Sequence, residues 1–363
     1  MPDIWIRTDG NEKIATGHLM RCLSIARACA GQQKNVCFLV ADTQSETLLQ
    51  ERFAFPSEFE IKCLHSDYQG MEKELPALER IMHQEHSSSE HILSKKKPWI
   101  LVDSYYVTIP YLEALRNWGH VAYLDDLSLF SYPVDCIINY DIPESKKPSC
   151  YSAAARCLLG TAYTPLRAQF QDVPYVVRQD AEHILLSTGG TDPFQVAEKI
   201  LDRMVMKSHL SDSALSVPTD YEFHVITSRL SPCYDRLTAL SSKYPNIHIH
   251  ENVQDMAGLM SRCDLAVSAG GTTLYELCAV GVPTISFVMA DNQISAVQSF
   301  AASDIIPCAG DVRIDINRVL DAICHFLAEK QMSYSKRLVL SDRMRSFVDG
   351  YGAARIAEAL EFM

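Results

Sequence analysis

The stretch Ala266-Val267-Ser268-Ala269-Gly270-Gly271-Thr272-Thr273-Leu274-Tyr275-Glu276-Leu277 decides the fold. An apolar run reads as a buried strand, the small residues after it as a turn, and the turn opens a helix. Gly270 and Gly271 would let a ligand approach the backbone. The amides of a first helical turn, together with the helix dipole, favour an anion at that place. Thr272 and Thr273 add hydroxyl donors. Glu276 falls about one turn into the helix on the same face, where its carboxylate can accept from a ribose diol while the helix start holds a diphosphate. Taken alone, Gly-Gly at such a turn fits a tight connection that binds nothing equally well.

A second stretch repeats the pattern. Leu186-Ser187-Thr188-Gly189-Gly190-Thr191-Asp192-Pro193 follows a predicted strand at Ile184–Ser187 and opens a predicted helix, Pro193–Met206. Asp192 reads as its N-cap and Pro193 as its first residue. This leaves the backbone of Gly189, Gly190 and Thr191 to face a ligand. In a parallel α/β sheet both turns lie at the carboxyl ends of strands, where ligands bind.

Working outward, the alternation continues in both directions. Ile4–Arg7, Val36–Ala41, Trp99–Val102, Val121–Leu124 and Cys136–Asn139 read as strands in the first half, with a helix from about Gly17 to Ala30. Pro165–Arg178 breaks the pattern and reads as a connection. Phe223–Ile226, Asp264–Ser268 and Thr284–Phe287 follow as strands of a second series. The expected fold is α/β, with two Rossmann-like domains whose parallel sheets face a central cleft. The expected boundaries are 1–165 and 166–345, with 346–363 as a C-terminal helix returning to the first domain. A chain of 363 residues is long for one core, which agrees with two domains. Segments 84–97 and 208–219 are polar and read as solvated surface.

The composition excludes several classes. A net charge of −12 disfavours a nucleic-acid interface. No apolar run spans a bilayer, and the first residues lack a signal-peptide pattern. The twelve cysteines contain no C-x-x-C pair and sit in apolar stretches, which points to reduced thiols and a cytoplasmic setting. The histidines show no metal-ligand spacing, and neither a metal nor a cofactor is expected. Oligomeric state is not legible.

The first half carries the candidate chemistry. After Arg7-Thr8-Asp9-Gly10, the run Thr16-Gly17-His18 places His18 at the start of the first helix. There the dipole disfavours the imidazolium, and a neutral imidazole is what a general base for water requires. Gly17 leaves room beside it. A histidine that only caps or packs would satisfy the same local pattern. Three strand ends, at Asp103-Ser104-Tyr105, Asp125-Asp126 and Asn139-Tyr140-Asp141, could hydrogen-bond a sugar or simply serve as caps and loop residues.

With these residues in place, the sequence resembles a family. Ile6-Arg7-Thr8-Asp9 and Thr16-Gly17-His18-Leu19-Met20-Arg21-Cys22 are similar to the start of the pseudaminic-acid pathway hydrolases. The resemblance extends through Leu101–Tyr105, Leu124–Leu127, Leu159–Tyr163, the Gly189-Gly190-Thr191-Asp192 turn and the Ser268–Glu276 block. That family removes UDP from UDP-2,4-diacetamido-2,4,6-trideoxy-β-L-altropyranose. It is related to spore-coat polysaccharide proteins and, more distantly, to MurG-type glycosyltransferases of the GT-B fold. The resemblance implies His18 as the catalytic histidine and Tyr105 as a nearby active-site tyrosine. It implies Glu276 on the ribose, the Val253 backbone on uracil, and Asn292 and Gln293 on the sugar or diphosphate.

Asp9, Gly17 and Asp126 complete the expected substrate contacts. The chain departs from the family in its polar insertions and in a transferase-like Gly-Gly-Thr-Thr turn. The expected activity is therefore hydrolysis of a UDP-sugar, with water attacking the anomeric carbon. The alternatives are a GT-B glycosyltransferase with an acceptor of unknown identity and a nucleotide-sugar binding protein without turnover.

Overall fold

The computed structural model describes residues 2–11, 16–52, 55–88, 97–206, 221–327 and 333–361. Within them the chain forms two compact units. One comprises residues 1–168 and 351–363, the other residues 169–350. The divisions thus fall at Ala168/Gln169 and Gly350/Tyr351, a few residues after the expected 165/166 and 345/346. Polar segment 208–219 and residues 89–96 of the other lie outside the described residues.

The first unit has strands β1 (Ile4–Thr8), β2 (Val36–Val40), β3 (Glu60–Cys63), β4 (Trp99–Asp103), β5 (His120–Leu124), β6 (Cys136–Asn139) and β7 (Arg156–Leu159). They form one parallel sheet in the order β3-β2-β1-β4-β5-β6-β7. Helices α1 (Gly17–Gly31), α2 (Thr43–Arg52), α3 (Leu75–Ser88) and α4 (Ile109–Leu115) connect them. Every residue of β1, β2 and β4 is buried. Strands covered on both faces read as continuous apolar runs, which is why these were visible in the sequence. Trp5, Leu39, Ile100, Val102 and Tyr123 belong to the core on one face.

The second unit repeats the plan. Its strands are β8 (His183–Ser187), β9 (Glu222–Ile226), β10 (Ile247–His250), β11 (Leu265–Ala269), β12 (Thr284–Val288) and β13 (Cys308–Asp311). They are parallel in the order β10-β9-β8-β11-β12-β13. Helices α5 (Val196–Leu201), α6 (Tyr234–Lys243), α7 (Met256–Ser261), α8 (Thr272–Val280), α9 (Ile294–Ala302), α10 (Val312–Leu327) and α11 (Tyr334–Phe347) accompany them. The last helix, α12 (Gly352–Ala359), packs on α1 in the first unit. There Gly352 lies so close to Thr164 that a Cβ would come within 2.2 Å of its carbonyl oxygen.

Both sheets have the Rossmann order, in which the chain direction switches beside the first strand. The switch lies between β1 and β4 in the first sheet and between β8 and β11 in the second. In sheets of this order ligands bind outside the carboxyl ends of these strand pairs.

Two local expectations change. The helix expected over Pro193–Met206 is α5, only Val196–Leu201, followed by a π-helical turn over Asp202–Met206. The Asp192 carboxylate accepts from the Val196 amide at 2.9 Å and the Ala197 amide at 3.0 Å, so the helix starts later and Pro193 precedes it. Gly270 also has a different reason to be glycine. A Cβ there would lie 2.4 Å from Val297 Cγ2 and 3.0 Å from Gln293 Cβ, so the bare backbone lets α9 pack closely. Its amide donates to the Phe287 carbonyl at 2.9 Å, which withdraws it from any ligand. Gly270→Ala is expected to cost about 1–3 kcal/mol through overpacking, read as a lower urea midpoint with an unchanged slope.

The twelve cysteines are all free thiols, and most are buried. Burial pushes Cys29, Cys37, Cys136 and Cys263 up to about 12, so these thiols are inert. Among the described residues, no helix is long and apolar enough to cross a membrane.

Candidate active site

The first unit gathers its polar residues at the switch point. The register pairs Thr8 with Asp103, so the ends of β1 and β4 lie side by side. Helix α1, which follows β1, therefore begins beside Asp103. His18 Nδ1 lies 2.5 Å from Asp103 Oδ1. Both are buried, with 6% and 1% of their surfaces exposed. A carboxylate can only accept, so Nδ1 carries the proton in this pair, and in the neutral ring the lone pair belongs to Nε2.

Arg21, one helical turn beyond His18, completes the arrangement. Its Nε donates to Asp103 Oδ2 at 2.7 Å and its Nη2 to Oδ1 at 2.6 Å. The same guanidinium donates to both oxygens of Asp126, each at 2.9 Å, and to the Tyr140 hydroxyl at 2.7 Å. One planar fork thus serves two carboxylates. Burial alone would raise the Asp103 carboxyl, but the charge of Arg21 beside it, with the hydrogen bonds from Arg21 and His18, more than offsets this and holds it well below the usual range. Tyr105 stands edge-on to the His18 ring with centroids 4.6 Å apart, and its hydroxyl donates to Asp126 Oδ2 at 3.2 Å. Burial, followed by the Asp126 charge, pushes the Tyr105 phenol up, so it remains a donor.

The structure therefore brings together His18, Tyr105 and Asp126. Gly17 adjoins His18, with open space where a side chain would be. Asp9 belongs elsewhere. It is 2% exposed, accepts from Arg7 Nη1 at 2.5 Å and from the Ala41 amide at 2.7 Å, and so has both oxygens engaged. Arg7 in turn forks onto Glu74 at 2.7 and 2.8 Å, and Tyr111 closes the buried network. The expectation that Asp9 contacts substrate is corrected accordingly. Arg21 was not among the candidates, and Asp103 was marked as a strand-end residue able to bond a sugar or to serve as a cap, not as the partner of His18. The available signal was the three-residue spacing from His18, which puts Arg21 on the same helix face.

Asp125 and Asp126 divide by orientation. Asp125 accepts from the Leu127 and Ser128 amides and from the Tyr132 and Tyr151 hydroxyls, and it is fully buried. It shapes the loop, and Asp126 faces Arg21.

In the second unit the candidates follow four strands of a parallel sheet and share its carboxyl edge. Gly189, Gly190 and Thr191 follow β8 and are exposed, with Gly189 at φ +85°. Gly190 accepts at its carbonyl from the Ser228 hydroxyl. Val253 follows β10 and is half-buried. Gly271, Thr272 and Thr273 follow β11. Gly271 caps α8 in an extended conformation, with open space where a side chain would be. Of the opening amides of α8, that of Leu274 donates to the Gly271 carbonyl at 2.9 Å, and those of Thr272 and Thr273 come before the first bond within the helix. Glu276 is half-buried on the next turn of α8. Asn292 is exposed in the turn after β12, and Gln293 spends its side-chain carbonyl on the Met289 amide at 2.9 Å.

The histidines of the second unit form a row rather than a site. His183 Nδ1 lies 3.1 Å from His224 Nε2, and His224 Nδ1 lies 3.1 Å from His250 Nε2. His248 stacks on His224 and bonds Glu222 at 2.6 Å. Nitrogens in a chain do not converge on one point, and among the described residues no group of three or more His, Cys, Asp or Glu could hold a metal ion. Burial and then the neighbouring imidazoles push His224 down to about 4, and burial lowers His250. A lowered histidine favours the folded state fully above its unfolded value near 6.5, and this contribution fades as pH falls towards 4. Urea midpoints are expected to drop from pH 7 to pH 5, and less so in His224→Gln.

Residues 184–338 match the glycosyltransferase family 28 C-terminal domain. The spore coat polysaccharide biosynthesis protein SpsG of Bacillus subtilis is 26% identical over 229 residues, 62% of this chain and 64% of that protein. A Helicobacter pylori protein, pseudaminic acid cytidylyltransferase and UDP-2,4-diacetamido-2,4,6-trideoxy-beta-L-altropyranose hydrolase, is 23% identical over 215 residues, 57% of this chain and 35% of that one. The chain thus covers less than two thirds of either relative. Among solved structures, Acinetobacter baumannii MurG superposes with a TM-score of 0.67 at 15% identity, covering 99% of each chain. The fold is the two-sheet parallel α/β arrangement of GT-B glycosyltransferases such as MurG.

Proposed function

We propose that the protein hydrolyses a UDP-sugar to free sugar and UDP. The observation that carries this reading is the buried His18–Asp103 pair at the switch point of the first sheet. With Nδ1 bonded to Asp103, Nε2 can take a proton from water as the water oxygen attacks the anomeric carbon. The bond from that carbon to the phosphate oxygen breaks, and UDP leaves with the electron pair. UDP is a stable leaving group, so donors that stabilise its charge suffice and no acid need protonate it. In this reading the first turn of α8 and the Gly189–Thr191 turn supply them, Glu276 accepts from the ribose, and Val253 faces uracil. Asn292 and Gln293 face the sugar or diphosphate.

The proposed donor is UDP-2,4-diacetamido-2,4,6-trideoxy-β-L-altropyranose, by likeness to the Helicobacter pylori protein. Hydrolysis in ¹⁸O-water should label the sugar; label on UDP would contradict attack at carbon. Glu276→Gln should weaken UDP binding about 10–100-fold, the cost of a charged hydrogen bond, as read by calorimetry. Unchanged affinity would remove Glu276 from the ribose.

A second reading has its own support. The match of residues 184–338 to a glycosyltransferase domain favours transfer of the sugar to an acceptor alcohol, with the same base deprotonating the acceptor instead of water. Turnover that starts only when an acceptor is added would select it.

A further inference from the structure

From the geometry around Arg21 we infer that this residue is a positioning residue for the His18 base: it keeps the ring neutral and fixes the proton on Nδ1. The inference rests on the reading of His18 as a base.

Among the described residues, the charged and titratable groups around the ring are few. Asp103 and Tyr105 face it from the end of β4, Arg21 and Cys22 belong to its own helix, and Asp126 and Tyr140 reach it through Arg21 after β5 and β6. Cys22 donates its thiol to Asp103 Oδ2 at 3.4 Å. Two carboxylates lie in this cluster, and Arg21 is their shared cation. Its Nη2 also stands 3.2 Å from His18 Nδ1. Without that charge, the buried Asp103 carboxylate against the ring and the half-buried Asp126 behind it would stabilise the protonated imidazole, which has no lone pair to offer water. A cation 3.2 Å away opposes that protonation directly.

The fork does a second thing. By engaging both oxygens of Asp103, through Nε and Nη2, it fixes the plane of the carboxylate. Oδ1 then points at Nδ1, and the proton stays on that nitrogen. A lysine would keep the charge but could not hold both oxygens in one plane while also holding Asp126.

The two contributions separate in two variants of the full chain. Long-range ¹H–¹⁵N correlation of ¹⁵N-histidine-labelled protein at pH 7 reads the protonation of each ring nitrogen, with His18→Asn giving the assignment. In the wild type, His18 should show a bare Nε2 and a protonated Nδ1. In Arg21→Met, both nitrogens should be protonated, and the acid limb of kcat/KM should move up by about 1–3 pH units. In Arg21→Lys, the ring should stay neutral but divide between two tautomers, with kcat reduced and KM unchanged. The inference is overturned if the wild type carries its proton on Nε2, or if Arg21→Met keeps the neutral Nδ1–H ring. Should Arg21→Met not fold, Arg21→Lys decides alone: a single Nδ1–H tautomer with wild-type kcat overturns it. The spectra need no substrate. A protein that hydrolyses no UDP-sugar would refute the proposed function and leave this test intact.

Discussion

His18→Ala is expected to reduce UDP-sugar turnover by about 10²–10⁴-fold, the usual contribution of a positioned general base. The reasoning is local. The ring is almost wholly buried, one of its nitrogens is committed to Asp103, and the other is left to act. UDP affinity should be unchanged, because the nucleotide contacts assigned above belong to residues of the second unit. A fall in kcat with unchanged UDP binding supports the base. An equal loss of UDP binding would show that the substitution damaged more than the base, and turnover within a few-fold of wild type would remove His18 from the chemistry.

Asp103→Asn should be nearly as severe, with turnover down about 10³–10⁴-fold. The side chain keeps its shape but can now offer an amide N–H to Nδ1. The ring proton then moves to Nε2, and the base faces water with a donor instead of a lone pair. The change also leaves Arg21 with one neutral partner in place of a carboxylate, so a comparison of urea midpoints must accompany the kinetics. Activity near wild type would mean that the 2.5 Å contact serves only packing.

The contrast between these residues explains what a sequence discloses. The strands β1, β4, β8, β11 and β12 were legible because parallel strands buried on both faces are unbroken apolar runs. Strand β3, Glu60–Cys63, escaped because it is a four-residue edge strand with exposed and half-buried positions. His18 was legible from its place after a strand and a glycine. Arg21 was not, because an arginine on a helix reads as solvated surface. Its burial depends on Asp103, Asp126 and Tyr140, which lie 82, 105 and 119 residues away. Asp9 misled for the converse reason: an aspartate just past the strand that leads to His18 looks like a ligand contact until Glu74 and Tyr111 reveal the Arg7 network behind it. Gly270 shows the same limit, since its packing against Val297 is set by a helix more than twenty residues later.

The central claim is that a UDP-sugar is cleaved by water. The direct test is NMR of the purified full chain with UDP-2,4-diacetamido-2,4,6-trideoxy-β-L-altropyranose and no acceptor, beside His18→Ala. Free sugar and UDP are expected from the wild type, with the variant slower by the factor given above. A donor left intact by protein that binds UDP would contradict it.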